Sequence, residues 1–404
     1  MRIGLTHSGV LTGFLIAAAC GTSPADSSSS SGTSGGVVAN EYALTADLHT
    51  LWLAQAGWFR LAIVATAGNL PDAAAATEKI QQNHVAIANK LRQFIGNTSA
   101  DQLTDLLDQH LHGALEVANA LKTGNAEARK ATWYANGHAI AALLVTANPQ
   151  WKQTDWDALL HKHLDTLLAE MTARMQAQWQ ADAQAHEAVV AHNLALADAL
   201  SAGLQLQYKT QIPQADLTPG NRQLHLALRD VWQTDVALTR VYLVSTLASL
   251  PDADQAATNL LAHQGKIADA MRPYYGDISS DQLTTLLQTQ VQGAGIVLKT
   301  AKTGQTDAQQ AAKNAWQGNA DQIAVFLAKA NPHLVLDDVK AKLRAHQTQF
   351  AGQTSARLQA DWSGDAAAYE LHMDDALKFA DTLADAIHLQ LATVVDQTQA
   401  QTPQ

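Results

Sequence analysis

The segment Ser99-Ala100-Asp101-Gln102-Leu103-Thr104-Asp105-Leu106-Leu107-Asp108-Gln109-His110 recurs 180 residues later as Ser279-Ser280-Asp281-Gln282-Leu283-Thr284-Thr285-Leu286-Leu287-Gln288-Thr289-Gln290. Its leucines recur at three and four, the spacing of one helical face, and strand-like alternation is absent. Ser99 with Gln102, and Ser279 with Gln282, read as capping boxes that open a helix.

Working outward, the same offset pairs Trp52 with Trp232, Arg60 with Arg240, Leu70-Pro71-Asp72 with Leu250-Pro251-Asp252, and Gly96 with Gly276. Past Gly124 and Gly304 the offset becomes 183, pairing Trp133 with Trp316, Asn136 with Asn319, Ala147-Asn148-Pro149 with Ala330-Asn331-Pro332, and His163 with His346. The run continues through Trp179 and Trp362, Asp182 and Asp365, and Asp198 and Asp381. A unit this long is a duplicated domain rather than a solenoid repeat.

The expected fold is all-α: two tandem copies of an up-and-down helical bundle of about six helices each. In the first copy the helices are expected near 44–67, 71–95, 99–123, 126–147, 154–179 and 181–207. Pro71 and Pro251 suit a first helical turn, Gly124 and Gly304 follow helix ends, and Asn148-Pro149 and Asn331-Pro332 stop the fourth helix. Gly364 supports a break before the last helix of the second copy, whereas Gln180-Ala181 allows the first copy to run on. The expected organisation is a signal at 1–19, Cys20 and a tether at 20–40, copy 1 at 41–208, a linker at 209–221, copy 2 at 222–392 and a polar tail at 393–404.

The amino terminus predicts where the protein resides. An apolar run to Ala17-Ala18-Ala19 meets Cys20-Gly21, which resembles a bacterial lipobox; the other reading is a secretory signal cut after the alanines. The Ser/Gly-rich stretch that follows suits a flexible tether. The expected product is an extracytoplasmic lipoprotein held to a membrane of the cell envelope by a lipid on Cys20.

The chain has 404 residues, 26 Lys+Arg against 37 Asp+Glu, and a net charge of −11. That balance, without a basic cluster, argues against nucleic acid as a partner. A single cysteine leaves neither an internal disulfide nor a thiolate metal cluster. Phosphate loops, G-x-S-x-G, H-E-x-x-H and the Glu-x-x-His of di-iron bundles are missing, so no nucleophile and base can be named; the expected role is binding, of a transition metal or small ligand held in the helical bundles, the alternative being a non-catalytic structural or protein-interaction component of the cell envelope, with the protein or small-ligand partner left open.

Further residues of the second copy resemble a group of uncharacterised bacterial proteins built on the same helical unit: Leu224, Leu228 and Trp232, then Leu250-Pro251-Asp252, Pro273-Tyr274-Tyr275-Gly276, and Trp316 and Asn319 through Ala330-Asn331-Pro332. The first copy has Phe94-Ile95-Gly96 in place of Tyr-Tyr-Gly. The resemblance implies the fold and carries no activity.

Sixteen histidines supply the candidate chemistry, yet only His163 and His346 correspond between copies. His110-Leu111-His112 and His161-Lys162-His163 are not chelating pairs, because two residues on a helix face opposite ways. Asp108, His112 and Glu116, and Asp157, His161 and Asp165, form acidic stripes that read as solvated faces. His110, His163 and His192 instead fall on apolar faces of three helices. Converging inside one bundle, they would make a divalent transition-metal site, with His346 in a weaker mixed counterpart beside Gln290, His372 and Asp375. The alternative is histidines hydrogen-bonded within the core. Arg60, Asp198, Arg240, Asp381, Asn136 and Asn319, with Asp182 and Asp365, are polar in both copies and are expected to form interhelix Arg–Asp bridges or caps. Trp52, Trp232, Trp133 and Trp316 are expected in the core, or as an aromatic wall for a flat ligand.

Overall fold

Apolar periodicity of three and four along almost the whole chain produces helices wherever the structure, a computed structural model, describes it: residues 39–400, with side chains to 392. The signal, Cys20 and the tether lie outside the described residues. The helices are α1 (Glu41–Gly68), α2 (Ala73–Ile95), α3 (Asn97–Thr123), α4 (Glu127–Ala147), α5 (Gln153–Met175), α6 (Trp179–Gln207), α7 (Pro219–Leu247), α8 (Ala253–Thr303), α9 (Thr306–Ala330), α10 (Leu336–Leu358) and α11 (Trp362–Ala400). No strand occurs among the described residues. α8 is bent at Gly276, whose φ of 76° is non-helical, so 253–275 and 277–303 mirror α2 and α3.

Left-handed residues punctuate the chain in matched places: Gly96 with Gly276, Gly124 with Gly304, Asn69 with Ser249, and Ala177 with Ala360. Gly96 and Gly276 explain why the capping boxes do not form. α3 begins at Asn97, with Gly96 at φ 81° in the cap position, so Ser99 already lies inside the first turn. Pro71 sits just before Asp72, the N-cap of α2, rather than in the helix. The break expected near Gln180 is present, a few residues earlier. Ala177, at φ 55°, breaks the chain between α5 and α6, and Ala360 rather than Gly364 does so between α10 and α11. The Asn-Pro stops hold as Asx turns: Asn148 Oδ1 accepts from the Gln150 N–H and Asn331 Oδ1 from the His333 N–H, both at 2.9 Å. α11 continues as helix to Ala400, through the first part of the expected polar tail.

Helices α1 to α6 each pack on the next, and α6 returns to α1; α7 to α11 do the same, with α11 returning to α7. α1 and α7 also pack on each other. That double duty explains why residues 55–65 of α1 are buried on every side, as expected of a helix with no solvent face. Trp52, Trp133, Trp232 and Trp316 are all buried in the core. α3 and α4 approach closely where Gly113 meets Trp133, as α8 and α9 do where Gly293 meets Trp316. A Cβ at either glycine would lie 2.7 Å from the indole.

Candidate functional site: the polar interior

Buried charge needs a partner, and the interior arginines find theirs on other helices. Arg60 on α1 bonds Glu170 at 3.0 Å and grips Asp182 with both Nη atoms, Nη2 to Oδ2 at 2.7 Å. Arg240 on α7 grips Asp365 twice at 2.8 Å. Although burial opposes it, the Asp182 and Glu170 carboxylates hold Arg60 firmly charged. Burial likewise opposes ionisation of Glu170, but His186 and Arg60 keep its carboxyl below the usual range.

Two further arginines cross between the helix sets. Arg174 on α5 reaches Asp252 at 2.7 Å, and its counterpart Arg357 on α10 reaches Asp72 at 2.8 Å. Each guanidinium lies 5.2 Å from an indole, Trp179 or Trp362. Burial and the neighbouring Arg60 lower Arg174 to about 10. The two crossings are reciprocal, since each half supplies one arginine and one aspartate. Beside the first lies a cleft of about 420 Å³ reaching Asn69, Lys122, Trp179 and Pro251.

Asp198 and Asp381 are not the partners of Arg60 and Arg240. Asp198 accepts from His49 at 2.9 Å, and His49 also meets Asp230 of α7 at 3.1 Å. Asp381 accepts from Arg229, the counterpart of His49, at 2.6 Å, and Arg229 meets Thr50 of α1 at 3.3 Å. Their partners His49 and Arg229 stand 11 residues before Arg60 and Arg240, about three helical turns nearer the amino-terminal ends of α1 and α7. His49 is lowered by burial but raised further by Asp198 and Asp230, and stands at about 9. Asn136 and Asn319 tie adjacent helices, donating to the carbonyls of Leu106 and Leu286 at 3.0 Å.

His110, His163 and His192 stand in a row, with ring centroids 5.4 and 5.9 Å apart. His192 is half-buried and its Nε2 donates to the Leu159 carbonyl at 2.8 Å. His110 and His163 are buried, with the Asn136 side chain at the first ring and the Asn193 side chain at the second. Burial, with the nearby His84, brings His110 down to about 3, and burial beside His110 and His192 holds His163 well below its ordinary value. Both rings are therefore neutral at neutral pH. They line a cavity of about 20 Å³ with Trp52, Gln55, Leu107 and Ile140, room for one water-sized occupant. A hydrogen-bonded chain leads away from it. Asn83 donates to Gln55 Oε1, leaving Gln55 Nε2 to donate to His84 Nε2, both at 2.9 Å; His84 Nδ1 then donates to Asp108 at 2.7 Å.

The corresponding cavity of about 30 Å³ lies beside Trp232, Asp235, Gln290 and His346. There His346 Nδ1 accepts from His372 Nε2 at 2.6 Å, and Gln353, held by Arg240, donates to His372 Nδ1 at 2.9 Å. His346 thus belongs to a different cavity from His110. The expected convergence of three imidazoles becomes a stacked row with one member tied to a carbonyl. Among the described residues no three His, Cys, Asp or Glu side chains are grouped to hold a metal ion.

The acidic stripes are committed to neighbours. Asp108 bonds His84, Glu116 bonds Arg129 at 2.6 Å, Asp157 bonds His138 at 2.8 Å and Asp165 bonds Tyr134 at 2.6 Å. His112 and His161 are exposed while His110 and His163 are buried, as the two-residue helical rotation requires. Sequence reasoning missed Arg174 and Arg357, whose match at an offset of 183 was present to be found. It also passed over His84 and Glu170, which have no identical counterpart.

Comparison with family models, curated proteins and solved structures finds no match to this chain. Among the described residues no helix is long and apolar enough to cross a membrane.

Proposed function

We propose that this chain is a lipid-anchored, extracytoplasmic, non-catalytic component of the cell envelope, built as two tandem copies of a helical bundle of about six helices and held to the membrane through Cys20. The observation that carries the reading is the pair of reciprocal ion pairs, Arg174–Asp252 and Arg357–Asp72. Buried, directional charge pairs between the copies join them into one stiff body, which suits a protein that presents surfaces at a fixed geometry. The interior charges are committed to holding helices together. The lipobox-like run before Cys20 and the Ser/Gly tether supply the anchor in this reading.

Membrane fractionation tests it. The wild-type protein is expected to sediment with membranes and leave them only in detergent, whereas Cys20→Ser is expected in the soluble extracytoplasmic fraction. Identical distributions for the two would refute the anchor.

A second reading, a binding role, is favoured by one observation: the cavity lined by the neutral rings of His110 and His163 in an otherwise largely apolar wall. Its volume leaves room for a single water-sized occupant.

A further inference from the structure

The helices alternate in direction, so one end of the molecule gathers the starts of α1 and α7, the end of α6, the Gly276 bend and the turn between α9 and α10. Hydrogen bonds stitch these segments together. The Glu41 amide donates to the Pro213 carbonyl at 2.9 Å and its carboxylate meets Arg222, while Asn221 bonds His388 of α11 at 2.5 Å. Gln390 Nε2 donates to the Ala330 carbonyl at 3.2 Å, and Asn331 Nδ2 to the Tyr275 hydroxyl at 2.9 Å. Ten large apolar side chains stand exposed among the described residues, and five of them, Leu206, Ile278, Val335, Leu389 and Leu391, belong to this end. Exposed apolar residues scattered singly need no explanation, whereas a gathering of them marks a contact surface. Ile278 is 78% exposed and Val335 60%. Val335 is the N-cap of α10, a position where Ser, Thr, Asp or Asn would serve the helix better. The matched residues of the first half are Thr98 and Lys152, so the duplicated fold does not itself demand apolar side chains there.

We propose that this end of the molecule rests on the lipid bilayer, with Ile278 and Val335 entering the headgroup region. This rests on the anchored reading above. The chain that precedes the described residues joins the body here, since residue 39 leads directly into α1. A Ser/Gly-rich segment of about 20 residues has a root-mean-square span of about 25 Å, whereas α1, with 28 residues, is about 42 Å long. A lipid on Cys20 therefore holds this end beside the bilayer and keeps the opposite end, where α5 meets α6, away from it. Held this close, a few apolar side chains suffice for a contact that their small area would not sustain in free solution. Asp277, Asp337 and Asp338 stand exposed beside Ile278 and Val335, so the contact draws on apolar insertion and not on attraction to anionic lipid.

Amide hydrogen exchange tests this on the mature chain from Cys20, coupled through that thiol, the only one in the sequence, to a maleimide lipid in phosphatidylcholine vesicles. The first N–H groups of a helix have no intrahelical partner, so amides near Ile278 and Val335 exchange fast in solution and any slowing is readable. Relative to the uncoupled chain without vesicles, peptides covering 276–280 and 333–338 are expected to exchange at least about threefold more slowly. A peptide covering 356–361, at the far end, is expected to be unchanged. The double substitution Ile278→Asp with Val335→Asp changes only exposed side chains, so the fold should persist, as circular dichroism checks, and the slowing is expected to vanish. Unaltered exchange at both segments, equal slowing at 356–361, or slowing that survives the double substitution overturns the proposal. Because the lipid is attached chemically, none of these outcomes depends on whether a cell lipidates Cys20, which fractionation decides separately.

Discussion

His49 occupies the place that Arg229 holds 180 residues later, and each residue binds one aspartate within its own half and one group across the seam. An arginine is charged at any working pH; a histidine does so only because Asp198 and Asp230 raise it to about 9 from 6.5. The sign follows from linkage. A group whose folded value is raised stabilises fully below the unfolded value and loses that contribution as pH climbs through the folded one. The difference in urea midpoint between wild type and His49→Gln is therefore expected to be largest near about pH 6 and to shrink through about pH 9. A difference that stays constant or grows with pH would count against it. The sequence made His110 and His163 legible as core histidines, because their positions continue leucine stripes. It could not make His49 legible as a seam residue, because its partner Asp230 belongs to the other half and no periodicity links them.

Among the elements, the turns between α5 and α6 and between α10 and α11 are made by alanines at φ 55° and 56°. A left-handed alanine costs about 1–2 kcal/mol relative to right-handed backbone, a penalty that glycine escapes. Ala177→Gly and Ala360→Gly are each expected to stabilise by about 1 kcal/mol, read as a rise in Tm. A fall in either variant would show that the methyl group makes a contact worth more than the strain. The breaks themselves were expected near Gln180 and Gly364, but the residues that make them were hidden: Gly96, Gly124, Gly276 and Gly304 announce their turns, whereas Ala177 and Ala360 use a residue that ordinarily marks a helix interior. The all-helical class was legible from spacing alone. Helix starts were not, since Ser99 offers a plausible cap three residues after the one that Gly96 provides.

For the whole molecule, the decisive contacts are the reciprocal ones. Arg357→Ala leaves Asp365 and Asp72 short of a partner and is expected to lower unfolding free energy by about 3–5 kcal/mol. A double-mutant cycle with Asp72→Ala should give a coupling above about 0.5 kcal/mol, measured by chemical denaturation. With Arg174→Ala added, a single cooperative transition in the wild type should separate into two. Additive single effects with one transition throughout would mean that apolar packing of α1 on α7 alone joins the halves. The duplication itself was plain in the sequence, but the way its members meet was not, because the crossing residues lie 78 and 285 positions apart. Reciprocity has a consequence of its own. A surface that complements its own duplicate is isologous, as in a two-fold homodimer, so two molecules could trade halves and keep every contact. The short connection from Tyr208 to Thr218, with Ile212 buried and the Pro213 carbonyl accepting from the Glu41 amide at 2.9 Å, keeps the exchange intramolecular. It holds each half at the millimolar effective concentration of a short tether, which separate chains in dilute solution do not reach.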